Sequence, residues 1–425
     1  MKSLKGIGRF ELLTAALFAC LFSFLKFNQC RSREFSASST LTYFCYSDIP
    51  VFWKTHFLQN HIWPFDFVFI PELSKTINPV EYPVIIGLVI WALSYLTSSA
   101  GVPYINYFDV NVIFISLLFV ASAYFVYRIK PKYVLLMVFA PAVIMSLFIN
   151  WDMWAVLPSL IAIYYFDKGK IVLSAIFLSV AISAKFYPIV MLLPICILLI
   201  KSRKFTELRN YLIAAPATYL FINLPIIISN FSGWSYFYKG SFNRGVGYGS
   251  IWEVFEILGL KLDNVNFYYV LTTSITFILI SVFFWRSKNF SNLHEVVFLS
   301  VFAFAAFNKV YSPQFVLWLT PLAVLALKNK KQISIFLVWQ LLEAAYHLAL
   351  WRYFYQSGGG QVLFAVSPEY YAMISALRLL ALVAFALSLV LFSRSEPNEI
   401  DSSKVKFQKS QRWPPQSRKA PHHNN

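Results

Sequence analysis

A lysine lies in the middle of a long apolar segment. Lys185, in AISAKFYPIVMLLP, interrupts a run of 30 residues from Ile171 to Ile200 that is otherwise apolar. As one helix this run would be about 45 Å long, against about 30 Å for a bilayer core, so we expect two spans with a turn at KFYP. Pro188 then starts the second helix. A lysine at such a turn can bind an anion, and a snorkelling lysine is the alternative.

Other short turns between apolar segments also carry polar side chains. NWDMW contains Asn150 and Asp152, NKVYSPQ contains Lys309 and Gln314, and the glycine-rich YKGSFNRGVGYGS contains Arg244. A group of lysine, arginine and amide side chains at membrane depth suits a phosphate whose lipid tail lies in the bilayer. Asp152 is equally suited to be a structural partner of Lys185, because paired charges are common within membranes.

Asp48, in CYSDIPVFW, is the only acidic residue between Phe35 and Phe65, and aromatic residues surround it in the sequence. A lone carboxylate in this setting can act as a general base, and aromatic rings offer stacking faces to sugars. A helix cap is the alternative role for Asp48. The chain has no P-loop, HExxH, GxGxxG or Ser-His-Asp pattern, so nucleotide-dependent, zinc-dependent and serine-hydrolase chemistries have no support.

The composition is that of an integral membrane protein. Of the 425 residues 58% are hydrophobic and 13% are charged, which predicts an all-α polytopic membrane protein. The formal net charge is +17, but the basic residues cluster in short loops between apolar runs, which indicates cytoplasmic loops rather than a nucleic-acid partner. We expect one transmembrane domain, 1–393, and a disordered basic cytoplasmic tail, 394–425, that touches anionic membrane lipids.

Thirteen apolar segments are candidate spans: 10–27, 83–97, 110–127, 133–148, 153–166, 171–184, 187–200, 211–229, 267–285, 294–307, 313–327, 332–350 and 370–392. The basic segments at both ends favour two cytoplasmic termini, which requires an even number of crossings, so we expect about 12 spans. Segment 83–97 is the one expected not to span, because it is short and begins with a charge and a proline.

This arrangement places loops 28–109, 230–266 and 351–369 on the outer face, together with tight turns at 150–152, 185–186 and 308–312. Helices of about 14 residues are about 21 Å long, so the tips of these turns should lie below the outer membrane surface and frame a cavity. Cys30 and Cys45 both fall in loop 28–109. Whether they form a disulfide is left open by the sequence.

Several motifs in order, from residue 43 to about 327, resemble glycosyltransferase family 87. They are YSDIPVFW, EYPVIIG, NWDMWAVLP with its continuation to AKFYPIVMLLP, GWSYFYKGSFNRGVGYGSIWEVF and FNKVYSPQFVLWLTPLAVL. This family comprises polyprenol-phosphate-mannose-dependent mannosyltransferases of the GT-C superfamily, and the EYP and NWD stretches look most like its actinobacterial branch. The resemblance implies a GT-C-type transmembrane bundle.

The resemblance also implies roles for individual residues. Asp48 matches the family's acidic residue in the first outer loop, the catalytic base, and Lys185 and Arg244 match its lysine and arginine motifs, with Lys309 as a further donor-phosphate ligand. The remaining motif positions are expected to support the site or bind sugar: Asn150, Asp152, Gln314, Glu81 and Tyr82.

The sequence therefore predicts an enzyme that inverts configuration. It would transfer mannose from polyprenyl-phosphate-mannose to a glycolipid or glycan acceptor at the outer face of the cell membrane, with no metal or cofactor, because fixed cations stabilise the leaving phosphate. A 12-span secondary transporter and a lipid-linked glycan polymerase or ligase are the alternatives. We find no symmetric pair of broken helices, as inverted repeats in a transporter would require. We expect no soluble C-terminal domain of the kind that larger GT-C enzymes carry, so acceptor recognition is expected from the outer loops and the bilayer.

Overall fold

The computed structural model describes residues 7–71, 74–287, 293–360 and 365–391, so the predicted tail 394–425 lies outside the described residues. The described chain is predominantly helical. Its helices α1 to α18 are Arg9–Arg31, Ala37–Thr42, Asp48–Thr55, Val84–Tyr95, Pro103–Ile129, Val134–Val138, Pro141–Ser146, Met153–Asp167, Ile171–Ala184, Leu192–Lys201, Phe205–Ser229, Phe231–Asn243, Ile251–Ile257, Val265–Arg286, Leu293–Ala306, Val316–Ala326, Lys330–Ser357 and Pro368–Leu391.

Six described helices are long and apolar enough to cross a membrane: α1, α5, α11, α14, α17 and α18. Six shorter apolar helices of 10–17 residues accompany them, when the 3₁₀ turns that precede α10 and α16 are counted with those helices. A chain of this composition can satisfy its backbone polar groups in lipid only through helices or closed barrels. The predicted all-α polytopic membrane protein is confirmed.

The turn at Lys185 forms where the length of the apolar run predicts it. Helix α9 ends at Ala184, Lys185 has extended backbone angles, and a 3₁₀ turn over Tyr187–Met191 leads into α10. Pro188 lies in the first turn of this second segment, where its missing N–H costs nothing. Helices α8 and α9 have 15 and 14 residues, and α9 packs between α8 and α11.

Candidate span 133–148 is not one continuous helix. A 3₁₀ turn is followed by α6 and then by α7, and Phe139 and Ala140 between the two helices are not helical. Pro141 explains the break, because proline cannot donate to the preceding turn and it restricts the residue before it. This interruption brings the end of α7 and the NWD turn into the protein interior, where Phe148 and Asn150 are buried.

Segment 28–109, predicted to be an outer loop, contains structure that the periodicity did not predict. Two short strands, β1 (Val68–Ile70) and β2 (Lys75–Ile77), pair antiparallel with Val68 opposite Ile77. A disulfide joins Cys30, at the end of α1, to Cys45, three residues before α3 begins, with 5.9 Å between the Cα atoms. The structure thus shows that these two cysteines form a disulfide, which the sequence leaves open.

Candidate active site

Asp48 is the first residue of α3, but it is not the helix cap. Ser47 caps the helix, accepting the N–H of Ile49, while its hydroxyl donates to the Phe148 carbonyl at 2.8 Å. The Asp48 N–H donates to the Ile149 carbonyl at 2.8 Å, which ties α3 to the residue that precedes the NWD motif. The cap role considered from the sequence therefore belongs to Ser47. The Asp48 carboxylate is left for other contacts.

Asn150 joins the Asp48 carboxylate to the Lys185 ammonium. Its Nδ2 donates to Asp48 Oδ2 at 3.2 Å, and its Oδ1 accepts from Lys185 Nζ at 3.2 Å. The same Nδ2 lies 3.2 Å from the hydroxyl oxygen of Tyr82, and the Tyr46 hydroxyl donates to Asp48 Oδ1 at 2.9 Å. The structure thus brings together four of the predicted site residues, Asp48, Tyr82, Asn150 and Lys185. With Tyr46 they form one hydrogen-bonded group, which we call the Asp48 group.

Burial raises the pKa of the half-buried Asp48 carboxyl above its ordinary value. The hydrogen bonds from Tyr46 and Asn150 and the charge of Lys185 act in the opposite direction, and the charge of Asp152 adds to the increase. Burial also raises the pKa of Tyr46, so its hydroxyl stays a neutral donor. A carboxylate with a raised pKa is a stronger base than an exposed aspartate once it is ionised.

Lys185 forms an ion pair with Asp152, its alternative partner in the sequence analysis. Their Nζ and Oδ1 atoms are 2.7 Å apart, and Asp152 is fully buried while 12% of the Lys185 side chain is exposed. The indole N–H of Trp318 donates to the same Oδ1 at 2.6 Å. Lys185 Nζ also lies 5.3 Å from the ring centre of Tyr82 and 5.6 Å from that of Trp318, within the range of cation–π attraction.

Arg244 lies beside the Asp48 group rather than within it. It follows the end of α12, and its guanidinium donates to Glu81 at 3.0 Å, with about half of each side chain exposed. Glu81 directly precedes Tyr82, so the EYP motif connects the arginine loop to the Asp48 group. An exposed ion pair of this kind contributes at most about 1 kcal/mol. Arg244 can therefore exchange Glu81 for another anion at little cost.

Lys309 has contacts that differ from its predicted role. Its ammonium donates to the carbonyls of Ser241, Phe242 and Arg244 and to Asn266 Oδ1, at 2.6 to 3.1 Å, and only 4% of the residue is exposed. Burial lowers its pKa. The last carbonyls of a helix need such donors, so Lys309 caps α12. We assign it this anchoring role, and the direct phosphate contact expected from the sequence stays a prediction.

Gln314 lies in the 3₁₀ turn Pro313–Phe315, just before α16, and it is half-buried. The carbonyl of the neighbouring Pro313 accepts the Ser146 hydroxyl at 3.2 Å. This contact fixes the turn against the end of α7, close in sequence to the NWD motif. The supporting role of Gln314 stays a prediction.

A fully buried ion pair joins Glu343 on α17 to Arg378 on α18, 3.1 Å apart, and the sequence did not predict it. Arg378 also donates to the carbonyls of Gly249 and Tyr311, at 2.8 and 2.6 Å, and so joins the loop after Arg244 to the loop after Lys309. Charged residues within spanning helices are a signal of function or of a partner. The two charges are 35 positions apart, and nothing local in the sequence pairs them.

Comparisons with known proteins give a distant relative and a distant structural neighbour. The chain is 26% identical over 206 residues to GPI mannosyltransferase 1 of Kluyveromyces lactis, a match that covers 44% of this chain and 50% of the relative. The matched region thus spans about half the length of the curated relative. No protein-family model matches the chain, so the resemblance to family 87 stays a prediction.

Among solved structures, the chain is similar to ArnT from Cupriavidus metallidurans, crystallised with undecaprenyl phosphate. The identity is 13% and the TM-score 0.42, and the alignment covers 85% of this chain and 76% of that chain. A similarity this distant says nothing about the site.

Proposed function

We propose that this membrane protein is a glycosyltransferase that inverts configuration at the transferred sugar. The donor is polyprenyl-phosphate-mannose, and the acceptor is a hydroxyl of a glycolipid or glycan at the outer face of the cell membrane. One finding carries this proposal: the side-chain amide of Asn150 contacts Asp48, the proposed base, through its nitrogen and the Lys185 ammonium through its oxygen.

In the proposed reaction, Asp48 accepts the proton of an acceptor hydroxyl as the oxygen attacks the anomeric carbon of the donor. The bond between that carbon and the phosphate oxygen breaks, and the polyprenyl phosphate leaves with the electron pair. A general base contributes about 10²- to 10⁴-fold to such a step. Because a single displacement occurs, a β-linked donor gives an α-linked product.

Lys185 and Arg244 are the proposed ligands of the leaving phosphate. The ammonium of Lys185 has three donors, of which Asp152 and Asn150 use two, so one donor remains for a phosphate oxygen. Arg244 exchanges its exposed contact with Glu81 for a second phosphate oxygen. Cations placed where negative charge develops stabilise the transition state, which is why we propose that the reaction requires no metal or cofactor.

Two observations support the outer face as the location of this chemistry. The disulfide between Cys30 and Cys45 lies three residues from Asp48, and disulfides persist in oxidising compartments. Lys170 precedes α9 and Arg286 ends α14, and both belong to basic loops expected in the cytoplasm. Lys185, at the other end of α9, is then expected at the outer face.

The similarity to a GPI mannosyltransferase over about half of that protein supports a mannosyl donor.

The test uses the full chain in proteoliposomes with labelled polyprenyl-phosphate-mannose and a membrane lipid extract that supplies acceptors. We expect a mannosylated lipid or glycan that α-mannosidase cleaves, formed equally well with EDTA present. Uptake of sugar without transfer would instead indicate a transporter. Transfer only from donors that carry an oligosaccharide would indicate a polymerase or ligase.

A further inference from the structure

The five residues of segment 44–48, which ends at Asp48, are held one after another. Cys45 is bonded to Cys30, the Ser47 hydroxyl donates to a carbonyl, and the Asp48 N–H donates to another. Phe44 has a φ of 57°, a left-handed conformation that costs about 1 kcal/mol or more and persists only when its surroundings enforce it. The remaining two residues of this segment, Phe44 and Tyr46, take their partners from α17.

Two residues one helical turn apart on α17 contact this segment. His347 Nε2 lies 3.1 Å from the Phe44 carbonyl oxygen, and it accepts the indole N–H of Trp351 at 3.1 Å. The Trp351 ring stacks on the Tyr46 ring, with 4.8 Å between centroids and 29° between planes. Tyr46 in turn donates its hydroxyl to Asp48 Oδ1 at 2.9 Å. The contacts form an unbroken path from α17 to the proposed base.

A lysine on α1 completes this arrangement. Lys26 Nζ lies 2.9 Å from His347 Nε2 and donates to the Met145 carbonyl at 2.5 Å. Lysine and tryptophan side chains only donate hydrogen bonds, so the tautomer of His347 that serves both carries its proton on Nδ1. Its Nε2 is then an acceptor and makes no hydrogen bond to the Phe44 carbonyl oxygen. A lysine within a spanning helix costs about 2.5 kcal/mol or more. The hydrogen bond from Lys26 to His347 offsets part of this cost.

We propose that Trp351 is a positioning residue for Asp48, acting through the Tyr46 ring. This inference rests on the proposed function, in which Asp48 is the base. A catalytic group must be held within about 0.5 Å of its productive position. The stacked Trp351 ring keeps the Tyr46 hydroxyl on the carboxylate. Loss of this ring lets the phenol leave the carboxylate.

The first readout requires no sugar transfer. The full chain in detergent is titrated by infrared difference spectroscopy, and the carboxyl band of Asp48 is identified by its loss in Asp48→Asn. Tyr46→Phe is expected to move the titration midpoint upward by about half to one unit, because a hydrogen bond to the ionised form is lost. Trp351→Leu should move it in the same direction. Trp351→Phe, which keeps a ring against Tyr46, is the matched control and should leave it in place.

A double variant separates positioning from general loosening of the fold. If Trp351 acts through Tyr46, Tyr46→Phe combined with Trp351→Leu should shift the midpoint no further than Tyr46→Phe alone. An unmoved midpoint in Trp351→Leu, with only its thermal stability lowered, would overturn the inference.

Kinetics on the same variants keep this inference separate from the proposed function. With mannosyl transfer established, Trp351→Leu should lower kcat about tenfold with donor KM unchanged and move the acid limb of the rate upward, as a displaced base would. If the wild-type chain transfers no mannose but the infrared shifts appear, the proposed function fails and the positioning of Asp48 stands. If the enzyme transfers mannose but the infrared midpoint does not shift in the variants, the proposed function stands and the positioning of Asp48 fails.

Discussion

The fully buried carboxylate of Asp152 accepts a hydrogen bond from the Lys185 ammonium, with 2.7 Å between Oδ1 and Nζ. A buried acid without this cation would be an uncompensated charge, so the pair joins the turn before α8 to the turn after α9 while it aims the ammonium at the Asp48 group. The two roles considered for Lys185, a structural partner of Asp152 and a phosphate ligand, are compatible, because an ammonium has more than one donor.

Asp152→Asn tests this pair. The amide keeps the size of the side chain but removes its charge, and breaking a buried ion pair costs about 3 kcal/mol. We expect a loss of stability of that order and a transfer rate at least about tenfold lower, measured by thermal unfolding and by the mannose transfer assay. Asp109→Asn is the control, since Asp109 forms a more exposed ion pair with Arg31 and should cost less than about 1 kcal/mol. Equal, small losses in both variants would contradict the assignment.

The raised pKa of Asp48 predicts opposite effects on activity and stability. Activity requires the ionised carboxylate, so transfer should fall as pH decreases through a midpoint above the value of about 4 for an exposed aspartate. Because burial raises the pKa in the folded state, the native protein binds its proton more tightly than the unfolded chain. Stability should therefore decrease as pH rises from about 4 toward that midpoint.

Asp48→Asn is consequently expected to be at least as stable as the wild type at pH 7. The difference should vanish below about pH 4, where the carboxyl is protonated in both states. Thermal unfolding at a series of pH values measures this difference. A variant less stable than the wild type at neutral pH would show instead that the ionised carboxylate contributes to the stability of the fold.

A double-mutant cycle tests whether Lys309 acts through Arg244. Arg244→Ala should raise the donor KM about tenfold, and Lys309→Met should have a similar effect, because it frees the end of α12 that carries the arginine. If Lys309 is only an anchor, the double variant should be no worse than about the larger of the two single effects. Additive losses would instead restore Lys309 as a direct phosphate ligand, as the sequence predicts.

Gly249 is the glycine whose replacement should disturb the loop between Arg244 and α13 most. Its φ is +71°, and an added Cβ would lie 2.1 Å from Arg378 Nη2 and 2.2 Å from the Tyr346 hydroxyl. Gly249→Ala should therefore lower the free energy of unfolding by about 3 kcal/mol or more. Gly245→Ala, in the same loop with open space around it, should change it by less than about 1 kcal/mol. Circular dichroism melts of both variants compare the two sites.

The parts of the site that could be predicted from sequence depend on length and local chemistry. An apolar run too long for one span and too short for two full ones requires a turn near its middle, which locates Lys185 between α9 and α10. Asp48 was identifiable because it is an isolated acid among aromatic residues. Its partner Asn150 was identifiable as a polar residue in a tight turn. These features need no knowledge of how the helices pack.

The remaining contacts join residues far apart in the chain. Glu343 and Arg378 meet across two spanning helices, and Lys26 reaches His347 over 321 positions. Such pairs follow from helix packing, which periodicity does not specify. Lys309 illustrates the consequence: as a lysine in a polar turn it was a reasonable phosphate ligand, yet the folded chain directs it to the carbonyls at the end of α12.

Donor binding and mannose transfer, measured side by side in Asp48→Asn and Lys185→Met, separate the proposed base from the proposed phosphate ligand. We expect Asp48→Asn to bind labelled polyprenyl-phosphate-mannose with an affinity within about threefold of the wild type, while its transfer falls at least about 100-fold. Lys185→Met should lose donor affinity by about tenfold or more. Near-normal transfer by Asp48→Asn, or unchanged donor binding by Lys185→Met, would contradict the assignment of base and phosphate ligand.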